Sequence, residues 1–311
     1  MIKSIKRYLK ICLKFADFYK SFEYMGIITL LTDFGTKDSY VSEMKGVINA
    51  LIPDVTIIDI SHEVRPQNIL EASFILSNSF YYFPGKTVHL TVVDPGVGTS
   101  REILVVNTRN YIFIGPDNGV LYESVNKDGI DEIKSVNIEQ FRNYMLNLYR
   151  GNIVAERIFS GEASKTFHGR DIFAPLAAFC LLDDKFEKFT VRKSRLIKCP
   201  EIRPVLKGNK INGKVIYIDN FGNLITNINH ELINQQLEVT KDYKKVEVFI
   251  KLKETLFKVG ELQEIYSNVN KGEPLALIGS RGYIEISVNC GDAAGYFRAT
   301  GDEEVVVILT R

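Results

Sequence analysis

From residue 27 onward the chain alternates short, largely apolar runs with stretches of helical period. That alternation limits its possible folds more than any other feature. Runs at 27–31, 55–60 and 87–93 read as strands, the first a short, nearly continuous apolar run of the kind covered on both faces. Between them, 38–51 carries Tyr40, Val41, Met44, Val47 and Ile48 on one helical face, and 68–83 reads as a second helix. A hairpin is expected from 103–107 and 111–114 around 108–110, and Asn118-Gly119 is a further hairpin signal. A helix is expected over 171–182 with Asp171 as its N-cap. The pattern predicts an α/β fold whose mostly parallel sheet is sandwiched by helices. Ligands in such folds sit beyond the carboxyl ends of the strands.

After about residue 190 the period changes. A polar stretch with Pro200, Pro204 and Gly208 reads as a linker. Short strands follow at 213–218, 224–228, 245–250, 275–278, 283–288 and 305–309, predicting an all-β, barrel-like unit. The expected organisation is an extension over 1–25, an α/β domain over 26–188, a linker over 189–210 and a β-rich domain over 211–311. The extension has six basic residues against Asp17 and Glu23, with apolar residues at helical spacing. It is either a basic amphipathic helix suited to a membrane surface, or an appendage ahead of a natural start at Met25.

Charge and cysteine usage exclude several classes. The net charge of +1 gives no electrostatic footprint for a nucleic-acid partner. No apolar run reaches the ~18 residues of a membrane span. Four cysteines, Cys12, Cys180, Cys199 and Cys290, form no CxxC pair, so neither a metal site nor a disulfide framework is expected. A reducing, cytoplasmic setting fits that usage.

Six polar segments fall where strands or turns end. Asp33, in Thr32-Asp33-Phe34-Gly35, could receive both hydroxyls of a ribose, or be a turn carboxylate; nearby Asp38 suits a helix N-cap. Asp94 and Arg101 bracket a Gly-rich loop, either as part of a site or as a surface ion pair closing a turn. Gly115-Pro116-Asp117-Asn118-Gly119 reads as a turn. His168 precedes a helix beside Gly169, Arg170 and Asp171, whereas His89, inside an apolar strand, reads as structural. Phe221 could stack on a base and Asn223 read its edge, unless Asp219-Asn220-Phe221-Gly222-Asn223 is only an Asx-rich turn. Arg281 beside Ser280 could grip a carboxylate, unless the pair only turns a hairpin.

Taken in order, these segments resemble the S-adenosylmethionine hydroxide adenosyltransferases, relatives of the fluorinating and chlorinating enzymes, from about Gly26 to Arg311. The resemblance implies hydrolysis of S-adenosyl-L-methionine to adenosine and methionine. It implies a homotrimer with active sites between subunits, a small-molecule substrate, and no cofactor, metal, nucleic acid or membrane partner. It assigns Asp94, Arg101 and His168 to activating water: Arg101 favours developing hydroxide, His168 accepts or relays the proton, and Asp94 orients one of them. Asp33 then binds ribose, Phe221 and Asn223 hold adenine, and Ser280 and Arg281 hold the methionine carboxylate. Asp219 or Asn220 meets its ammonium, and Tyr283 and Glu285 add backbone contacts. The halogenating relatives carry a Tyr-Ser pair where this chain has His168-Gly169, and an insertion for which 139–162 is the candidate region. Water is therefore the expected nucleophile. A 5′-halogenase and a non-catalytic ligand sensor are the alternatives.

Overall fold

The computed structural model describes residues 26–182, 186–200, 203–239 and 243–311, and the expected extension over 1–25 lies outside them. Two compact units divide between Cys199 and Pro200.

In the first unit β1 (Ile27–Thr32), β2 (Thr56–Ser61), β3 (Val88–Val92) and β5 (Ile112–Pro116) are parallel, in the order β2-β1-β3-β5. β4 (Ile103–Thr108) returns antiparallel to β5 as the expected hairpin. β6 (Ile130–Val136) and β7 (Thr190–Lys193) extend that edge antiparallel. Ile28, Leu30, Val88, Leu90 and Val92 join one core, so the alternate residues Thr29, Leu31, His89 and Thr91 face the opposite layer.

Helices cover both faces. α1 (Tyr40–Leu51) buries Val41, Met44, Val47, Ile48 and Leu51, an i, i+3, i+4 stripe. α2 (Ile69–Ser77) is shorter than the helix expected over 68–83. Asn68 Oδ1 caps it by accepting from Glu71 N at 3.0 Å. Asn78 Nδ2 and Ser79 Oγ then take the carbonyls of Phe74 and Ile75, at 2.8 and 2.9 Å. Side chains that satisfy a last turn in this way compete with continuation, and only a 3-10 turn, Phe80–Tyr82, follows. Asn118-Gly119 leads into α3 (Tyr122–Asp128) rather than a hairpin. The region 139–162 forms α4 (Ile138–Leu148) and α5 (Ile153–Phe159), which pack Phe141, Met145, Ala155 and Phe159 into the same core as α1.

α6 (Ala174–Leu182) is buried along most of its length, as its uniformly apolar sequence requires. It runs on from a π-helical turn at Gly169–Phe173, so Asp171 is inside the helix and is not its N-cap. Pro175 supplies the cause. It has no N–H to give Asp171 O, and Arg142 Nη1 donates to that carbonyl instead at 3.2 Å.

The stretch 189–210, read as a linker, contains β7 and β8 (Val205–Lys207). Lys193 pairs with Glu102 and Asp117, and Ile197 N donates to Asp117 Oδ1 at 2.7 Å, fastening this stretch to the first sheet as far as buried Cys199.

The second unit is a closed barrel. β10 (Leu224–Asn229), β14 (Tyr283–Val288), β13 (Pro274–Ile278), β12 (Thr255–Gln263), β11 (Lys245–Leu252), β15 (Glu304–Thr310) and β9 (Lys210–Ile218) follow one another. β9 then pairs back onto β10, abolishing the edge. Its interior is filled by Ile211, Val215, Leu224, Val248, Ile286 and Val307, among others. α7 (His230–Val239) and α8 (Ala293–Phe297) pack against it.

Candidate active site

Parallel strands deliver their carboxyl ends to one edge of a sheet, and β1, β2 and β3 end in Thr32-Asp33, Ser61-His62 and Val92-Val93-Asp94. Asp33 is partly buried, and Gln67 N donates to its Oδ2 at 2.8 Å. Burial first, and the negative charge of Asp94 as a smaller cause, push its carboxyl above the ordinary range, against the pull of backbone hydrogen bonds. Asp38 is exposed, and the N-cap of α1 is Ser39.

The loop after β3 folds Arg101 back onto Asp94. Val97 N bonds to Asp94 O and Thr99 N to Gly96 O, two tight turns in succession. Gly98 has φ +77°, and a Cβ there would lie 2.5 Å from Lys165 O, so this loop and the 165–168 loop touch through backbone. The guanidinium grips Asp94 through Nε at 2.8 Å and Nη2 at 2.5 Å. Nη2 also lies 2.7 Å from His168 Nδ1. Arg101 sits over the Phe173 ring, 5.5 Å from its centre. The Arg101 and Asp94 side chains are only 9% and 4% exposed, so this is a desolvated pair and not the surface ion pair that a turn alone would leave. Buried Arg101 Nη1 makes no hydrogen bond among the described residues.

Two consequences follow for His168. An arginine only donates, so Nδ1 accepts and the ring proton resides on Nε2. Burial, and then the Arg101 charge, lower the imidazole pKa below its ordinary value, which favours the neutral ring. Asp94 therefore orients Arg101, and Arg101 orients His168. Behind them Arg142, buried on α4, donates Nη2 to the carbonyls of Ile158 and Gly161, at 2.5 and 2.7 Å. Asp171 accepts from Ser164 N and Arg170 Nε, at 2.8 and 2.6 Å. These bonds hold the loop that ends at His168.

In the barrel, Asp219, Ser280, Arg281, Tyr283 and Glu285 line one cavity of about 100 Å³. Arg281 lies over Tyr217, 5.4 Å from the ring centre. Glu285 is buried, and its carboxylate is engaged by neighbouring side chains. It accepts from Tyr266 Oη at 2.5 Å and Ser287 Oγ at 3.0 Å. Burial and Glu285 push the Tyr266 hydroxyl up to about 12. Asp219 accepts from Phe221 N, Asn223 N and Asn223 Nδ2, all at 2.9 Å, so the Asx-turn reading of this segment is correct as geometry. The same turn leaves Phe221 75% exposed, with Asn220 also exposed and Asn223 buried. A wider groove of about 530 Å³, near Tyr122 and Lys198 of the first unit, contains none of the expected site residues.

Gly222 makes that turn possible. Its φ is +81°, and a Cβ would fall 2.0 Å from Asp292 Oδ1, the group that caps α8 through Gly295 N. Gly222→Ala is expected to cost about 2–4 kcal/mol, combining backbone strain with overpacking. Calorimetric melting checks this, and an unshifted transition would show that the turn relaxes freely.

His62, Gln67, Arg142, Phe173 and Tyr266 were not singled out from sequence. Only His62 had a usable signal, its place just beyond the carboxyl end of β2.

Comparison with known proteins agrees over both units. The family model described as SAM hydroxide adenosyltransferase N-terminal domain matches residues 28–190, and the corresponding C-terminal domain model matches 213–306. The chain is 32% identical over 297 residues to a Methanocaldococcus jannaschii protein named (R)-S-adenosyl-L-methionine hydrolase, covering 93% of this chain and 98% of that one. Similarity to a protein named fluorinase from Actinopolyspora mzabensis is lower, 23% over 305 residues, covering 86% and 92%. A crystal structure of an uncharacterized conserved protein from Thermotoga maritima superposes with a TM-score of 0.75 at 35% identity, covering 90% and 99%.

Proposed function

We propose that this chain, which belongs to the SAM hydroxide adenosyltransferase family, hydrolyses S-adenosyl-L-methionine to adenosine and L-methionine. The observation that carries the reading is the buried Asp94–Arg101–His168 cluster with Arg101 Nη1 left to donate.

The sulfonium makes methionine a neutral leaving group, so catalysis concerns the nucleophile. Water attacks C5′ opposite sulfur, the C5′–S bond breaks with its electron pair on sulfur, and one water proton departs. Arg101, held by Asp94, donates from Nη1 to the water oxygen and favours its hydroxide character. His168 takes the departing proton on the Nδ1 lone pair once Arg101 Nη2 gives it up. In-line positioning of water and C5′ is worth ~7–11 kcal/mol in well-oriented systems. Asp33 holds the ribose. Phe221 and Asn223 hold adenine, Ser280 and Arg281 the methionine carboxylate, and Asp219 the ammonium, with Asn220, Tyr283 and Glu285 completing the barrel's share. No resident cofactor or metal enters this scheme.

Gly169 favours water over halide. A Cβ there would lie 3.0 Å from Phe167 Cε2, 3.1 Å from Phe34 Cε2 and 3.2 Å from Met44 Sδ. A serine like that of the halogenating relatives has no room without displacing those groups. We read the enzyme as cytoplasmic, in keeping with buried free thiols at Cys180 and Cys199, and as a homotrimer with active sites between subunits. No helix among the described residues is long and apolar enough to cross a membrane.

The test is chromatography after incubation with each sulfonium epimer of the substrate, with and without chloride or fluoride. Equal adenosine and methionine from the (R) epimer, independent of halide, is the expected result. A 5′-halo nucleoside would reassign the chain to the halogenases, and adenosine bound without turnover would make it a sensor. Light scattering on the same preparation tests the trimer.

A further inference from the structure

Beneath the turn that carries Asp33 runs a chain of side chains. Thr32 Oγ1 lies 2.9 Å from His62 Nδ1, and His62 Nε2 lies 3.1 Å from Asp59 Oδ1, somewhat off the line of the ring N–H. Asp59 Oδ2 accepts from Lys45 Nζ at 2.6 Å. The order hydroxyl–imidazole–carboxylate is that of a nucleophilic triad, yet Thr32 is wholly buried and its hydroxyl cannot reach a substrate. What it reaches is the turn. Phe34 N donates to Thr32 Oγ1 at 3.3 Å, and Gly35 N to His62 O at 2.8 Å. Partner chemistry places the protons. The carboxylate only accepts, so the Nε2 proton faces Asp59, Nδ1 accepts from the Thr32 hydroxyl, and that hydroxyl keeps its lone pairs for Phe34 N.

We propose that His62 is a positioning residue for the ribose carboxylate: it fixes the Thr32 hydroxyl with its ring and the Gly35 amide with its carbonyl, and so sets where Asp33 points. The Gln67 N–Asp33 Oδ2 bond, five residues further along the same loop, clamps the carboxylate from the other side. The inference rests on the reading of Asp33 as the group that receives the ribose hydroxyls.

The experiment compares adenosine with 2′,3′-dideoxyadenosine by titration calorimetry. A carboxylate placed for two hydroxyls should favour adenosine in the wild-type protein by about tenfold to a hundredfold. Thr32→Val keeps the buried volume and removes the hydroxyl; His62→Leu removes the relay, and His62→Asn restores an acceptor towards Thr32. Thr32→Val and His62→Leu are expected to lose most of the preference for adenosine while binding the dideoxy nucleoside as before, and His62→Asn to recover part of it. In an Asp33→Ala background, Thr32→Val should change neither affinity. Equal weakening of both ligands would mean a merely structural role and overturn the proposal, as would unchanged adenosine affinity in Thr32→Val and His62→Leu. A wild-type protein that binds both nucleosides alike would remove the ribose reading, and the proposal with it. The chromatographic assay judges hydrolysis separately.

Discussion

Arg101→Lys is expected to leave a folded protein whose kcat is lower by about two to three orders of magnitude with a small change in KM, the range seen when a donor to a developing negative charge is removed. The guanidinium does several things at once here. Its Nε and Nη2 hold Asp94, Nη2 also fixes the His168 tautomer, and Nη1 remains to donate. An ammonium keeps the charge but cannot serve that fork, so lysine separates positioning from charge. Arg101→Ala should lose at least as much activity. It also strands a buried carboxylate, which costs about 3–5 kcal/mol in comparable pairs, so the alanine variant alone could not tell catalysis from unfolding. Steady-state kinetics on the lysine variant, with its melting temperature as control, is the measurement. Adding His168→Ala to Arg101→Lys should lower kcat much less than His168→Ala does in the wild type, because the two side chains act through one contact. A wild-type kcat in Arg101→Lys would show that positive charge alone suffices at this position and would remove the positioning role of the guanidinium fork.

The sheet and the barrel were legible because their strands follow simple rules. β1 and β3 are buried along nearly their whole length and largely apolar since both faces are covered, and the carboxyl ends of the strands carry the Asp33 and Asp94 turns. What escaped the sequence has physical reasons. β12 is largely exposed, so Thr255–Gln263 shows no apolar alternation. α4 buries Arg142 next to Phe141, and a charge at a core position disguises the helical stripe; its value lies in three carbonyls that no local pattern reveals. Pro175 lies in the first turn of α6, and the Asp171 carbonyl it leaves without an N–H is met by Arg142 of another helix, so the π turn before it is not legible locally. Arg101 and His168 stand 67 residues apart, and Thr32 and His62 stand 30 apart, so spacing alone joins neither pair. The first pair was foreseen only through family resemblance. The second was not foreseen, although the end of β2 lies on the same sheet edge.

His89 should make the protein measurably acid-sensitive above the range where carboxylates titrate. It is fully buried on β3, 2.8 Å from Thr29 Oγ1, and ringed by Phe80, Phe83, Tyr111 and Phe113; it stacks on Phe113 at 5.0 Å. Its Nε2 has no hydrogen-bond partner among the described residues. Burial, only partly offset by the charge of Asp128, lowers its pKa from 6.5 to about 3. The folded protein thus refuses a proton that the unfolded chain accepts below about 6.5. Stability is complete above that pH and falls as pH drops towards 3, by ~1.4 kcal/mol per unit. At pH 5 the expected loss from this residue alone is about 2 kcal/mol. His168, also held neutral, adds to the slope in the same window. The contribution of His89 is therefore isolated by difference. The paired substitution His89→Phe with Thr29→Val removes the imidazole without stranding the threonine hydroxyl. Urea unfolding at pH 7.5 and pH 5 should show the wild type losing about 2 kcal/mol more than the paired variant. Absolute stability can move either way, because Phe is larger than His in a packed box, but the difference between the two pH values does not depend on packing. Equal losses in the two proteins would mean that His89 gains a proton without penalty, which would require water to reach Nε2 and would contradict the dry aromatic box.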